Sequence, residues 1–138
     1  MERALRTTVS TAARKVRAWC EAENSKRAFP VLGNDLSGWC AIASARLWKE
    51  LQAKGINAEI HLSQEGYCAH VFLVVDDHVV DVTATQFRPF THQPLVIKHL
   101  EEAEVHWFYN ANKKFDHIVK LREDQVTNGW PVHQTVPA

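Results

Sequence analysis

The chain has 138 residues, 46% hydrophobic and 23% charged, which suits one globular domain over 1–138 with a real core. Lys+Arg and Asp+Glu both number 16, so the formal net charge is zero; a general nucleic-acid binder would carry a basic excess, and no nucleic-acid partner is expected. No run approaches the roughly 20 apolar residues that span a bilayer, so no membrane association is expected. The stretch MERALRTTVSTAARKVRAW carries charges throughout and no apolar h-region, so it does not read as a secretory signal. Three cysteines, an odd number without framework spacing, fit free thiols in a reducing compartment, and the expected location is the cytoplasm.

Residues 4 to 23 read as a first helix, because Leu5, Val9, Ala12, Val16 and Trp19 recur at helical spacing. Residues 24 to 39 contain Pro30, Gly33, Asn34, Asp35, Ser37 and Gly38, which is loop chemistry. A second helix is expected next, with Ser37 as N-cap, Cys40 in the first turn and Gly55 as the C-terminal stop. Its first turns hold small residues, Ala41, Ala43, Ser44 and Ala45, which let a neighbouring backbone approach closely, so this end is expected to be buried.

Strand signals follow. Ala58 to Leu62 is short and alternating, and AHVFLVVDDHVVDVT, residues 69 to 83, places two β-branched apolar runs around Asp76 and Asp77, the signature of a hairpin. Leu95 to Ile97 and Val105 to Tyr109 are candidate strands, and Phe115 to Gln125 is a candidate short helix. The tail NGWPVHQTVPA is irregular, and its Trp130, Pro131 and His133 form a local cluster that either docks as a lid or simply packs.

The chemistry centres on three residues. A cysteine at a helix start sits near unsatisfied backbone N–H groups and the positive end of the dipole, an environment that favours thiolate and suits a developing oxyanion. A lone cysteine is more often a small buried apolar residue, so Cys40 needs partners. If the hairpin turns at Asp76-Asp77, Asp81 lies opposite Phe72; if it turns at Asp77-His78, Asp81 lies opposite Val74. Strands alternate with period two, so either register puts His70 and Asp81 on one face, whereas a three-residue loop would break that parity. A carboxylate within the apolar run HVVDVT needs a partner, and His70 is the nearest candidate. Asp81 would then fix the imidazole tautomer and leave the other nitrogen to take the proton of Cys40, a Cys-His-Asp triad.

This order, helix-Cys, strand-His and next-strand-Asp, resembles the papain-like and transglutaminase-like cysteine enzyme superfamily. The pieces are SGWCAIASARLWKELQAKGINAEI, AHVFLVV and HVVDVT, within roughly residues 30 to 87; residues 1–25 and 90–138 carry no part of the likeness. The resemblance implies an α+β fold in which a helix bearing the cysteine packs on an antiparallel sheet bearing histidine and aspartate. It resembles most the compact bacterial members with glutamine deamidase or acyl-transfer chemistry. It implies a thiol hydrolase acting on an amide bond, of peptidase or deamidase type, with a peptide or protein substrate and no cofactor. A transglutaminase-type acyl transferase and a catalytically silent binding or inhibitor protein of the same fold are the alternatives. Asn34, six residues before Cys40, matches by position the oxyanion-hole glutamine of papain-like proteases, although it is shorter and the intervening DLSGW departs from the usual run. Trp39 and Gln86 are further candidates for lining the substrate site, and Thr83 follows Asp81 closely enough to join them. Cys40, Cys68, His70 and Asp81 would also be acceptable zinc ligands, but no paired-ligand spacing accompanies them and no metal is expected. Substrate identity and oligomeric state are open on the sequence.

Overall fold

The structure, a computed structural model, describes residues 1–110 and the backbone of Lys120–Leu121; the side chain of Asn34 lies outside that description. Helix α1 (Arg3–Ser25) buries Val9, Ala12, Ala13, Val16 and Cys20, the stripe its spacing predicts, with Leu5 and Trp19 half-buried beside it. Helix α2 (Cys40–Ala53) is buried along most of its first turns, where Ala41, Ala43, Ser44 and Ala45 let it settle against the sheet. Ser44 Oγ donates to the carbonyl of Val71 at 3.2 Å, which pins this end of α2 to the strand carrying His70.

Strands β1 (Glu59–Glu65), β2 (Cys68–Val75), β3 (His78–Asp81), β4 (Val96–His99) and β5 (Lys120–Leu121) form one antiparallel sheet in the order β4-β3-β2-β1-β5. The fold is therefore α+β, with helices packed on an antiparallel sheet. Period-two alternation divides the core. One face presents Ile60, Leu62, Val71, Leu73, Val75, Val80 and Val82 to α1 and α2. The other presents Phe72, Val74, Val79 and Val96 to Phe90, Phe108 and Tyr109, so β2 is buried on both sides.

Four local expectations change. The N-cap position of α2 is Trp39, not Ser37, and no side chain caps it. Gly38 has φ +84°, outside helical space, so the helix cannot start before it; Ser37 instead donates its N–H to Asp35 Oδ1 at 2.9 Å. Strand β1 runs to Glu65, beyond Leu62, because Glu65 pairs with Cys68 across a two-residue turn in which Gly66 has φ +59°. The stretch expected as a strand at Val105–Tyr109 ends in a 3-10 turn, Trp107–Tyr109, after a short helix α3 (Leu100–Ala103). A strand would send Phe108 to the opposite face from Trp107 and Tyr109; the tight turn brings Trp107 and Phe108 onto Phe87 and Tyr109 onto Phe72. The helix expected at Phe115–Gln125 lies outside the described residues except at Lys120–Leu121, where the backbone pairs with Ile60 and His61 as a strand. The tail cluster of Trp130, Pro131 and His133 also lies outside them.

Two ties hold the segments that carry the site. Arg17, buried on α1, donates through one terminal nitrogen to the carbonyl of Val82 and to Thr85 Oγ1, each at 2.9 Å. Asn24, at the end of α1, exchanges two 3.0 Å hydrogen bonds with the backbone of Val31 and accepts one at 3.3 Å from Trp39 Nε1. The loop into Cys40 is thus anchored although Leu36 within it sits at φ +58°, a strained conformation for a leucine that its complete burial holds in place.

Candidate active site

Cys40 is the first residue of α2 and 7% exposed. The first turn of a helix leaves its N–H groups without intrahelical acceptors, and here no side-chain cap occupies them. The helix start therefore offers donors beside the sulfur.

His70 and Asp81 come together because the hairpin turns at Asp76-Asp77. The register Leu73↔Val80, Val74↔Val79 and Val75↔His78 is the first of the two alternatives, and its continuation sets Asp81 opposite Phe72 on the face of His70. Asp76 and Asp77 have φ +48° and +58°, the left-handed pair that a two-residue hairpin turn requires. Across this register His70 Nε2 and Asp81 Oδ2 lie 2.7 Å apart, both side chains buried.

Two further residues complete the carboxylate's surroundings. Tyr109 donates its hydroxyl to Asp81 Oδ2 at 2.7 Å. Thr83 donates its backbone N–H to Asp81 Oδ1 at 2.9 Å and its hydroxyl to the same oxygen at 3.2 Å. The Thr83 contacts follow the Asp-x-Thr pattern of local side-chain-to-backbone bonding. Tyr109 had no such signal, lying 28 residues downstream in a stretch with strand composition.

The electrostatics follow from this packing. Burial penalises the imidazolium of His70, but the Asp81 charge and hydrogen bond, together with Cys40, outweigh it and raise His70 from 6.5 to about 10. Burial likewise opposes ionisation of Asp81, yet the His70 charge and the hydrogen bonds from His70, Tyr109 and Thr83 hold its carboxyl below the usual range. Burial first, and the Asp81 charge second, push the Tyr109 hydroxyl far above its ordinary value, so it stays a donor. With Nε2 committed to Asp81, the nitrogen left for the thiol is Nδ1. It has no closed hydrogen bond among the described residues, yet Cys40 stands near enough to raise the imidazole, first as a hydrogen-bond partner and then by charge.

Aromatic rings wall the imidazole. Phe87 meets it edge-on at 4.8 Å, and Phe72 and Tyr109 lie at 6.0 and 5.8 Å. Phe108 stacks on Phe87 at 3.9 Å and closes the wall.

The remaining candidates are placed differently. Trp39 is buried, its ring edge-to-face with Trp19 and under the Arg27 guanidinium, so it packs at the foot of α2. Gln86 is half-buried and donates to the carbonyl of Thr83 at 3.0 Å, bracing the segment after Asp81. Asn34 ends a 3-10 turn at Leu32–Asn34, and its side chain is not described. Cys68 is exposed at the start of β2, whereas His70 and Asp81 are buried, and among the described residues no three His, Cys, Asp or Glu side chains group as a metal ion requires. Cys20 is buried in the helical core, which pushes its thiol up to about 11. No helix among the described residues is long and apolar enough to cross a membrane. Comparison with protein-family models, curated proteins and solved structures returned no match.

Proposed function

We propose that the chain is a thiol enzyme with a papain-like or transglutaminase-like core that hydrolyses or deamidates an amide in a peptide or protein. The observation that carries this reading is the buried 2.7 Å His70–Asp81 bond, with Cys40 at the start of α2 near enough to help raise the same imidazole. A histidine raised to about 10 is imidazolium at neutral pH, so it stands ready as an acid. The thiolate of Cys40 attacks the carbonyl carbon, the N–H groups at the start of α2 receive the oxyanion, and His70 Nδ1–H gives its proton to the departing ammonia or amine. Asp81 keeps Nε2 protonated throughout, which holds the tautomer that aims Nδ1 at the chemistry. What remains is a thioester on Cys40, resolved by water in a hydrolase or by an amine in a transferase.

The complete burial of His70 favours a second reading, a silent binding protein of the same fold. Limiting iodoacetamide at about pH 6, on a Cys68→Ser background and with the site of labelling mapped by mass spectrometry, separates the two. The enzyme reading predicts fast, selective labelling of Cys40 that His70→Ala abolishes. Slow labelling of Cys40, indifferent to His70→Ala, sinks it.

A further inference from the structure

Among the described residues, two buried side-chain polar atoms have no hydrogen-bond partner, Ser63 Oγ and His70 Nδ1. They are neighbours: Ser63 on β1 pairs directly with His70 on β2. Residues so paired project to the same face with Cβ atoms about 4.5–5.5 Å apart. Both side chains are fully buried. A buried hydroxyl left unpaired is costly, and such a group in a folded protein calls for a partner such as water. The rings of Phe72, Phe87 and Phe108 around the His70 imidazole offer it no polar partner either. Asp81, on the same face, is by contrast met by donors from three residues.

We propose that Ser63 positions the water that resolves the acyl-enzyme, which makes the product a free acid; this rests on the thiol-enzyme reading above. After acylation His70 has given its proton to the leaving group and Nδ1 carries a free lone pair. The water gives one hydrogen to Ser63 Oγ as a hydrogen bond and the other to Nδ1, two polar partners for one molecule. Its oxygen attacks the thioester carbonyl carbon and the proton passes to Nδ1. A C–O bond forms, the C–S bond breaks, and Cys40 leaves as thiolate beside a renewed imidazolium. A water held between Ser63 Oγ and Nδ1 is in place once the leaving group has gone, so the site favours hydrolysis or deamidation over transfer.

The test is stopped-flow turnover of p-nitrophenyl acetate by the full chain carrying Cys68→Ser, with and without Ser63→Ala. Intact-protein mass spectrometry follows acetyl on Cys40, and thermal unfolding is recorded in parallel. Ser63→Ala removes an unpaired buried hydroxyl, so the variant is expected to fold with an unchanged or higher Tm. The expected result is an undiminished p-nitrophenolate burst, steady-state turnover lower by about 10- to 100-fold, and acetyl-Cys40 that accumulates. Native turnover in the variant, or burst and turnover falling in proportion, overturns the role of Ser63 while leaving the thiol enzyme standing. Absence of both burst and acetyl-Cys40 before any change at Ser63 overturns both readings.

Discussion

Asp81 receives hydrogen bonds from three residues: His70 on the neighbouring strand, Thr83 two residues on, and Tyr109 from the 3-10 turn 28 residues downstream. Such a buried carboxylate is stable only while these donors hold. Tyr109→Phe keeps the ring and removes one charge-assisted bond. It is expected to lower stability by about 1.5–3 kcal/mol, read as a shift in urea midpoint with unchanged m-value, and to slow Cys40 alkylation. An unchanged midpoint would show that Tyr109 only fills space. At this scale the sequence was partly legible. Asp81 stood out because a carboxylate in an apolar run needs a partner, His70 because strand parity puts it on the same face, and Cys40 because it opens a helix. Tyr109 and Ser63 did not, because an aromatic among aromatics and a serine in a strand carry no mark of what lies across the sheet.

The decisive element is the β2–β3 hairpin, since its two-residue turn fixes the parity that puts His70 and Asp81 on one face. Asp76 and Asp77 occupy left-handed conformations at a steric cost that glycine avoids. Asp77→Gly is therefore expected to raise stability by about 0.5–1 kcal/mol in urea unfolding and leave Cys40 reactivity unaltered; a loss of stability would mean the Asp77 side chain contributes more than the turn costs it. Asp76 is left in place because its carboxylate lies 3.7 Å from the N-terminal ammonium. The hairpin was legible because alternation, β-branching and the Asp-Asp break agree. So was the end of α2: Gly55 at φ +73° lets Ile56 N–H reach the Leu51 carbonyl at 2.9 Å. The 3-10 turn at Trp107–Tyr109 was not, because its shape is set by the rings it meets and not by local preference.

Over the whole molecule, one face of the sheet is given to the two long helices and the other to an aromatic cluster that seals the His70–Asp81 pair. The long range of this arrangement escapes a reading by segments. The Arg17 bonds that tie α1 to Val82 and Thr85 join positions more than 60 residues apart. Sealing couples the site to global stability. His70 is raised from 6.5 to about 10, so its contribution is full below 6.5 and is lost as pH rises through 10. Asp81 is lowered from 3.8, so its contribution is present above 3.8 and is lost as pH falls below it. Urea midpoints across pH are expected to peak between these limits and to decline on the alkaline side, whereas a flat profile between 6.5 and 10 would contradict the pairing. The most direct test of the account is the side-chain nitrogen NMR spectrum of His70 through a pH titration. Two protonated ring nitrogens at neutral pH, with loss of one only near 10, is the predicted result; a neutral ring that titrates near 6.5 would contradict it.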